Sequence, residues 1–205
     1  EGCIARVCEG KSINCAVNPT TGYEGIKEIK ATENPKRVLV IGAGPGGCQA
    51  AIAATQAGHD VEIWEKNEYL GGNFYNACMP PFKRDGEKVL HYYRTMIETL
   101  NIRIKYCKEA TEEMILSYNA DKVIYAAGAN PIKPGRIQGI NNSNVTTAVD
   151  VLQNKALLGE EVAIIGGGLV GCETAIMLAN KGKKVTIIEM ASKILPEPIF
   201  IQNLM

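Results

Sequence analysis

Two groups of residues in this chain have types and spacings suited to holding a dinucleotide. Gly42, Gly44 and Gly47 are followed by Glu65, and Gly166, Gly168 and Gly171 are followed by Glu189. In each group the acid stands 23 residues after the first glycine, and the groups lie 124 residues apart. The first glycine permits a tight turn, the second lets backbone approach a pyrophosphate, and the third lets a helix pack close to a strand. The acid accepts bonds from ribose hydroxyls and repels a 2'-phosphate, which favours NAD over NADP in the second group. Pyrophosphate and ribose binding is therefore the chemistry expected at both places; no residue is assigned an acid, base or nucleophile role.

The surrounding pattern supplies the elements that must position these residues. Val38 to Ile41 is an apolar strand, Gly46 to Gln56 an Ala-rich helix, and a second strand ends at Glu65. The stretch 161–189 repeats the order. Strand, glycine turn, helix, strand and acid predict an α/β fold of two Rossmann-like dinucleotide-binding units with three-layer sheet architecture, the second unit truncated. The truncation is expected because only 16 residues follow Glu189, too few for the remaining strands and helices.

Composition narrows the function classes. Basic and acidic residues number 22 each and no long basic run occurs, so neither nucleic acid nor a membrane surface is an expected partner. The longest uncharged run, 38–59, is broken by glycines and by Gln49, Thr55 and Gln56, which argues against a membrane span. Seven cysteines without a small secreted-domain framework favour reduced chemistry and a cytoplasmic location. Cys3, Cys8 and Cys15 lack the paired spacing of a closed metal site.

Further along, 1–35 reads as a loop-rich lead-in, 36–135 as the first nucleotide unit, 136–158 as a crossover and 159–205 as part of the second unit. Residues 66–85 read as a turn-rich connection in which Gly71 and Gly72 permit another close backbone approach. Lys83 is there either a contact or a solvated charge. Cys48 reads as a packing residue, and Cys78 has no nearby partner thiol. His59 is expected to be exposed. Leu90, Tyr93, Ile97 and Leu100 form a helix stripe, Ile102 to Tyr106 alternates as a half-exposed strand, and 110–118 predicts a short helix. Val123 to Tyr125 predicts a strand leading to the small-residue turn Ala126, Ala127 and Gly128. Thr147 is a candidate cap for a short helix.

The words CAVNP (15–19), GAGPGG (42–47), GGNF (71–74), AAGANP (126–131) and GGGLVGCE (166–173) together resemble the C-terminal part of the NADH:flavin oxidoreductase family, which includes 2,4-dienoyl-CoA reductase, enoate and bile-acid reductases and trimethylamine dehydrogenase. The resemblance implies FAD on the first unit, through Gly42, Gly44, Gly47, Glu65, Gly72, Ala127 and Gly128. It implies NAD(H) on the second, through Gly166, Gly168, Gly171 and Glu189. It also implies a parent protein with an FMN-binding barrel and a [4Fe-4S] segment, of which Cys3 and Cys15 resemble the last two ligands.

Such a parent passes electrons from NADH through FAD and the cluster to FMN and reduces an activated carbon–carbon double bond in a small unsaturated substrate. The resemblance leaves a homo-oligomer open. Two other readings stand beside it: an amine dehydrogenase component, and a non-catalytic module that holds an adenine nucleotide structurally.

Overall fold

The computed structural model describes residues 6–7, 10–15, 17–26 and 28–195. Cys3 and Cys8, named above as candidate thiols, lie outside them. The chain divides into two compact units, one formed by 1–72 and 88–128, the other by 73–87 and 129–205.

The first unit is built on four parallel strands, β1 (Arg37–Ile41), β2 (Asp60–Trp64), β3 (Arg103–Lys105) and β4 (Lys122–Tyr125), in the order β3-β2-β1-β4. The continuous Val, Leu and Ile run of β1 is what a strand covered on both faces requires, and four of its five residues are buried. Helix α1 (Pro45–Gln56) lies against β1, β2 and β4. On one face Leu39, Ile41 and Trp64 pack with Met114, Ile115 and Tyr118. The last three belong to a helix, Glu112–Tyr118, whose first turn is capped by the Thr111 hydroxyl accepting from the Met114 N–H. Between them in the chain runs Glu87–Thr99, whose buried stripe is Leu90, Tyr93 and Ile97. Because β1 has β2 on one side and β4 on the other, the chain winds in opposite directions from it. In sheets of this kind the carboxyl end of such a strand is where ligands sit.

The segment read as a turn-rich connection carries more structure than expected. Gly72–Ala77 is a helix and Pro81–Gly86 a 3-10 turn. The cue was missed because the helix is too short to show apolar periodicity. In chain order the helices are therefore α1, α2 (Gly72–Ala77), α3 (Glu87–Thr99), α4 (Glu112–Tyr118), α5 (Ala148–Leu152) and α6 (Leu169–Asn180). Thr147 caps α5, accepting from the Asp150 N–H. His59 is half-buried rather than exposed, because its Nδ1 accepts from the Lys36 N–H at 3.2 Å.

The second unit pairs β5 (Glu161–Ile165) with β6 (Lys184–Ile188) in parallel, in the register seen between β1 and β2. Its core joins Val151 and Leu152 of α5 to Met177 and Leu178 of α6, with Val162, Ile164 and Val185 from the strands. The opposite strand face is open. Ile165 and Ile188 are 57% and 54% exposed, whereas their counterparts Ile41 and Trp64 are 7% and 2% exposed under α4. Among the described residues, no helix is long and apolar enough to cross a membrane.

One buried acid on β2 gives the first unit a defined response to pH. Burial pushes the Glu62 carboxyl up, but the Trp64 indole N–H at 2.6 Å, the Lys105 ammonium at 3.0 Å and the Arg103 guanidinium at 3.5 Å outweigh it and hold the carboxyl below its usual range. The folded value then lies below the unfolded value of about 4.3, so this stabilisation is complete above that pH and is lost as pH falls through the folded value. The melting-temperature gap between the wild type and Glu62→Gln should therefore narrow as pH falls from about 7 to about 3. A gap independent of pH would refute the charge assignment.

Candidate functional site

Each glycine turn leaves a strand at its carboxyl end, and its first glycine has the conformation only glycine adopts freely. Gly42 has φ +101° and Gly166 has φ +107°. Gly42 is also crowded: a Cβ there would meet the Ala126 carbonyl oxygen at 2.4 Å and the Ala127 Cα at 3.1 Å. This contact explains the small residues after β4, since Ala126 and Ala127 run directly behind the turn. The third glycines do the work expected of them. A Cβ on Gly47 would stand 1.9 Å from the Gly42 oxygen, and one on Gly171 2.0 Å from the Gly166 oxygen.

The middle glycines differ, and the difference points outward. At Gly44, Gly168 and Gly128 a Cβ would meet nothing within 4 Å, so the protein itself leaves space there. Gly44 and Gly168 are the N-caps of α1 and α6, and neither helix start receives a side-chain cap. Pro45 brings no N–H, and the first helical bond of α1 is Cys48 N–H to the Gly44 oxygen, which leaves the N–H groups of Gly46 and Gly47 without an intrahelical acceptor. Uncapped donors at the positive end of a helix, beside open space, fit an anionic group such as a pyrophosphate.

The acids are placed alike in both units. Glu65 Oε2 accepts from the Ala43 N–H at 2.7 Å, and Glu189 Oε2 accepts from the Gly167 N–H at 2.6 Å. Each carboxylate therefore braces its own glycine turn. Glu65 is buried, and its Oε1 also takes the backbone and side-chain N–H groups of Asn67, both at 2.8 Å. A carboxylate offers about four acceptor positions, so three donors leave room for one ribose hydroxyl. Glu189 is half-exposed and takes one further bond, from Ala191 at 2.7 Å. The N–H groups of Ala191 and Gly167 hold its carboxyl below the usual range. It is thus anionic at neutral pH, the state that repels a 2'-phosphate.

The repeat extends past these acids. The Gly71 N–H donates to the Ala43 oxygen and the Leu195 N–H to the Gly167 oxygen, both at 2.8 Å, so Leu195 occupies in the second unit the place of Gly71 in the first. A Cβ on Gly72 would lie 3.3 Å from the Gly44 Cα, so this glycine passes directly over the first phosphate turn. In the second unit Ile194 closes over Gly167, with its Cγ2 2.7 Å from the position of a Cβ. Gly167 thus leaves to Ile194 space that the Ala43 side chain occupies in the first unit.

No disulfide forms among the described thiols. Among the described residues Cys15, Cys48, Cys78, Cys107 and Cys172 are free. Cys48 is fully buried and donates to the Ala43 oxygen; burial first, and the nearby Glu65 carboxylate, push its thiol up to about 12. Burial and Glu87 likewise raise Cys78, against the opposing charge of Lys83. His91 is exposed on α3. Cys15 is held below the ordinary thiol range by the N–H groups of Val17 and Asn18. No group of three or more His, Cys, Asp or Glu among the described residues could hold a metal ion.

Sequence reasoning left one pair unrecognised. Lys83 Nζ donates to both oxygens of Glu173, at 2.8 and 2.9 Å. Only the fold of 73–87 into the second unit brings them together.

Residues 36–202 match the family model described as pyridine nucleotide-disulphide oxidoreductase. The chain belongs to this family. Family membership makes it an oxidoreductase domain that binds FAD and NAD(H). Over 195 residues it is 42% identical to a cinnamate reductase of Clostridium sporogenes, covering 95% of the chain and 29% of that protein. Over 203 residues it is 42% identical to an NADH oxidase of Thermoanaerobacter brockii, covering 94% of the chain and 30% of that protein. Among solved structures, a 2-naphthoyl-CoA reductase complex superposes with a TM-score of 0.90 at 36% identity, covering 95% of this chain and 30% of that one. The chain thus spans about three-tenths of the length of these relatives.

Proposed function

We propose that this chain is the electron-input part of a multidomain reductase, taking up NADH on its second unit and holding FAD on its first. The observation that carries this reading is the duplicated geometry: two uncapped helix starts, each beside an open middle glycine and each turn braced by an acid. The FAD site comprises Gly42, Gly44, Gly47, Glu65, Gly72, Ala127 and Gly128, and the NAD(H) site Gly166, Gly168, Gly171 and Glu189. Gly72 supports the division of labour, because bare backbone passes over the first turn there whereas the Ile194 side chain covers the second. Bound flavin supplies the hydride acceptor. The chain's own residues bind the pyrophosphates, orient the riboses and exclude the 2'-phosphate.

In the parent, Cys3 and Cys15 would help to hold a [4Fe-4S] cluster, which with FMN would supply the electron path to an activated carbon–carbon double bond of enone, enoate or enoyl-CoA type. A cinnamate reductase and a bilirubin reductase among the relatives, at 42% and 38% identity, support reduction over amine oxidation, for which the N,N-dimethylglycine/sarcosine dehydrogenase stands at 29%. The lead-in, the two nucleotide units and the crossover are parts of that longer protein, and it works in the cytoplasm.

Anaerobic spectroscopy tests the core of the reading. The purified chain should show flavin bands, release FAD on heating, and bleach when NADH is added. A chain that binds FAD but is never bleached would favour the structural nucleotide module. The pyridine-nucleotide preference follows separately from Glu189. Removing its charge in Glu189→Ala should reduce the preference for NADH over NADPH by about tenfold, as read from the two dissociation constants. An unchanged ratio would place the 2'-hydroxyl elsewhere.

A further inference from the structure

The second unit holds a cavity of about 370 Å³ whose lining includes two polar side chains almost wholly withdrawn from water, Asn76 of α2 and Thr174 of α6, at 6% and 3% exposure. A buried amide ordinarily pairs at both ends. Asn76 pairs at one: its Oδ1 accepts from Gln153 Nε2 at 2.9 Å, and its Nδ2 has no acceptor among the described residues. That nitrogen is not sealed in protein, for it keeps accessible surface, and the place of Asn76 in the lining makes that surface part of the cavity wall. Thr174 is the complement. Its Oγ1 donates to the Val170 oxygen at 2.7 Å within the helix, which commits its one hydrogen and leaves its lone pairs as acceptors. The remaining polar side chains of the lining are exposed or taken. Asn130 is exposed, Asn73 is exposed and donates to the Ala129 oxygen, and both oxygens of Glu173 are bound by Lys83.

One unpaired donor and one open acceptor, both on buried side chains of one compact unit, match a primary carboxamide, which offers a carbonyl oxygen and an amide nitrogen with hydrogens. A pyridine nucleotide carries that group on its ring. Thr174 also stands on the helix whose uncapped start, at Gly168, faces the second phosphate turn. We propose that this cavity receives the carboxamide of the nicotinamide ring, with Asn76 Nδ2 donating to its oxygen and Thr174 Oγ1 accepting from its nitrogen. The proposal deepens the reading of this unit as the NAD(H) site and rests on it. With its oxygen held by Gln153, Asn76 presents a donor and not an acceptor, so the two side chains read the two ends of the carboxamide differently. Both are specificity determinants rather than catalytic residues, because the group they bind does not react. A site with buried polar groups rejects an analogue that lacks the matching partner more strongly than an apolar pocket rejects a change of size.

Three ligands that cannot reduce flavin separate the two contacts. They are NAD⁺, its 3-acetylpyridine analogue, which keeps the carbonyl but has a methyl group in place of the amide nitrogen, and ADP-ribose, which lacks the ring. Each is titrated calorimetrically into the wild-type chain, Asn76→Leu and Thr174→Val. The wild type should bind NAD⁺ about tenfold more tightly than the acetylpyridine analogue. Asn76→Leu should weaken both about tenfold and keep that ratio, whereas Thr174→Val should weaken NAD⁺ alone and bring the ratio to within about twofold of one. Unchanged binding of ADP-ribose certifies that a variant is folded with its phosphate turn intact, and if one variant fails that check the other carries the test alone. Variants that pass it and bind both ring-bearing ligands as the wild type does would overturn the proposal and leave the NAD(H) site intact. A wild type that binds none of the three would overturn the site itself, and the proposal with it.

Discussion

Gly47→Val should abolish flavin retention and destabilise the first unit, whereas Gly171→Val should spare the flavin and abolish binding of the pyridine nucleotide. The reason is the same at both positions and unusually local. A Cβ at Gly47 stands 1.9 Å from the Gly42 oxygen and one at Gly171 2.0 Å from the Gly166 oxygen, and in each case the obstructing atom is backbone. It cannot rotate aside as a side-chain tip would. Either α1 must move off β1 or the turn must open, and both changes disperse the N–H groups aimed at the phosphate. Forced overpacking of this kind costs about 3 kcal/mol. Flavin content after purification, thermal melting and NAD⁺ titration of the two variants check it. Loss of flavin from Gly171→Val with retention in Gly47→Val would reverse the assignment of the two units.

The second large effect is expected at Glu65. Its carboxylate is 4% exposed and accepts from the backbone of Ala43 and Asn67 and from the Asn67 side chain. Glu65→Leu keeps the volume roughly but leaves those N–H groups without their acceptor. A buried unsatisfied donor costs about 1–3 kcal/mol, so a loss of about 3 kcal/mol is expected in urea unfolding, together with weaker FAD binding. Glu189→Leu is the control. That carboxylate makes the same bond to its turn but is half-exposed, and water can replace it for the stranded Gly167 N–H. Its stability loss should be much smaller. Equal losses at both positions would mean that burial does not set the difference.

The two turns, alike in plan, have different neighbours among the described residues. The first turn is enclosed by Ala126, Ala127 and Gly72 and carries a buried brace. The second has Ile194 as its cover and an exposed strand face with Ile165 and Ile188.

Much of this was legible in the residues themselves. The glycine spacing determined both turns, because close backbone packing and a positive φ admit almost no other residue. The unbroken apolar run of β1 determined a buried parallel strand, and Thr147 marked a helix start through a bond that reaches only a few residues along the chain. The offset of 124 residues even carried over to strand register and to the acid braces. All these features are local: their physical cause lies within one turn, one strand or one repeat.

What the tertiary structure decided lies where distant segments meet. That Lys83 is an ion-pair partner rather than a solvated charge depends on Glu173, 90 residues away, and on the placement of 73–87 in the second unit. The Gln153 side chain donates to the buried Asn76 across 77 residues, and that contact has no sequence signature either. His59 lost its exposure to a backbone donor 23 residues upstream. A charge or an amide is compatible with water at almost any sequence position, so its type and spacing do not name a partner. Only the approach of another chain segment, which removes the water, does.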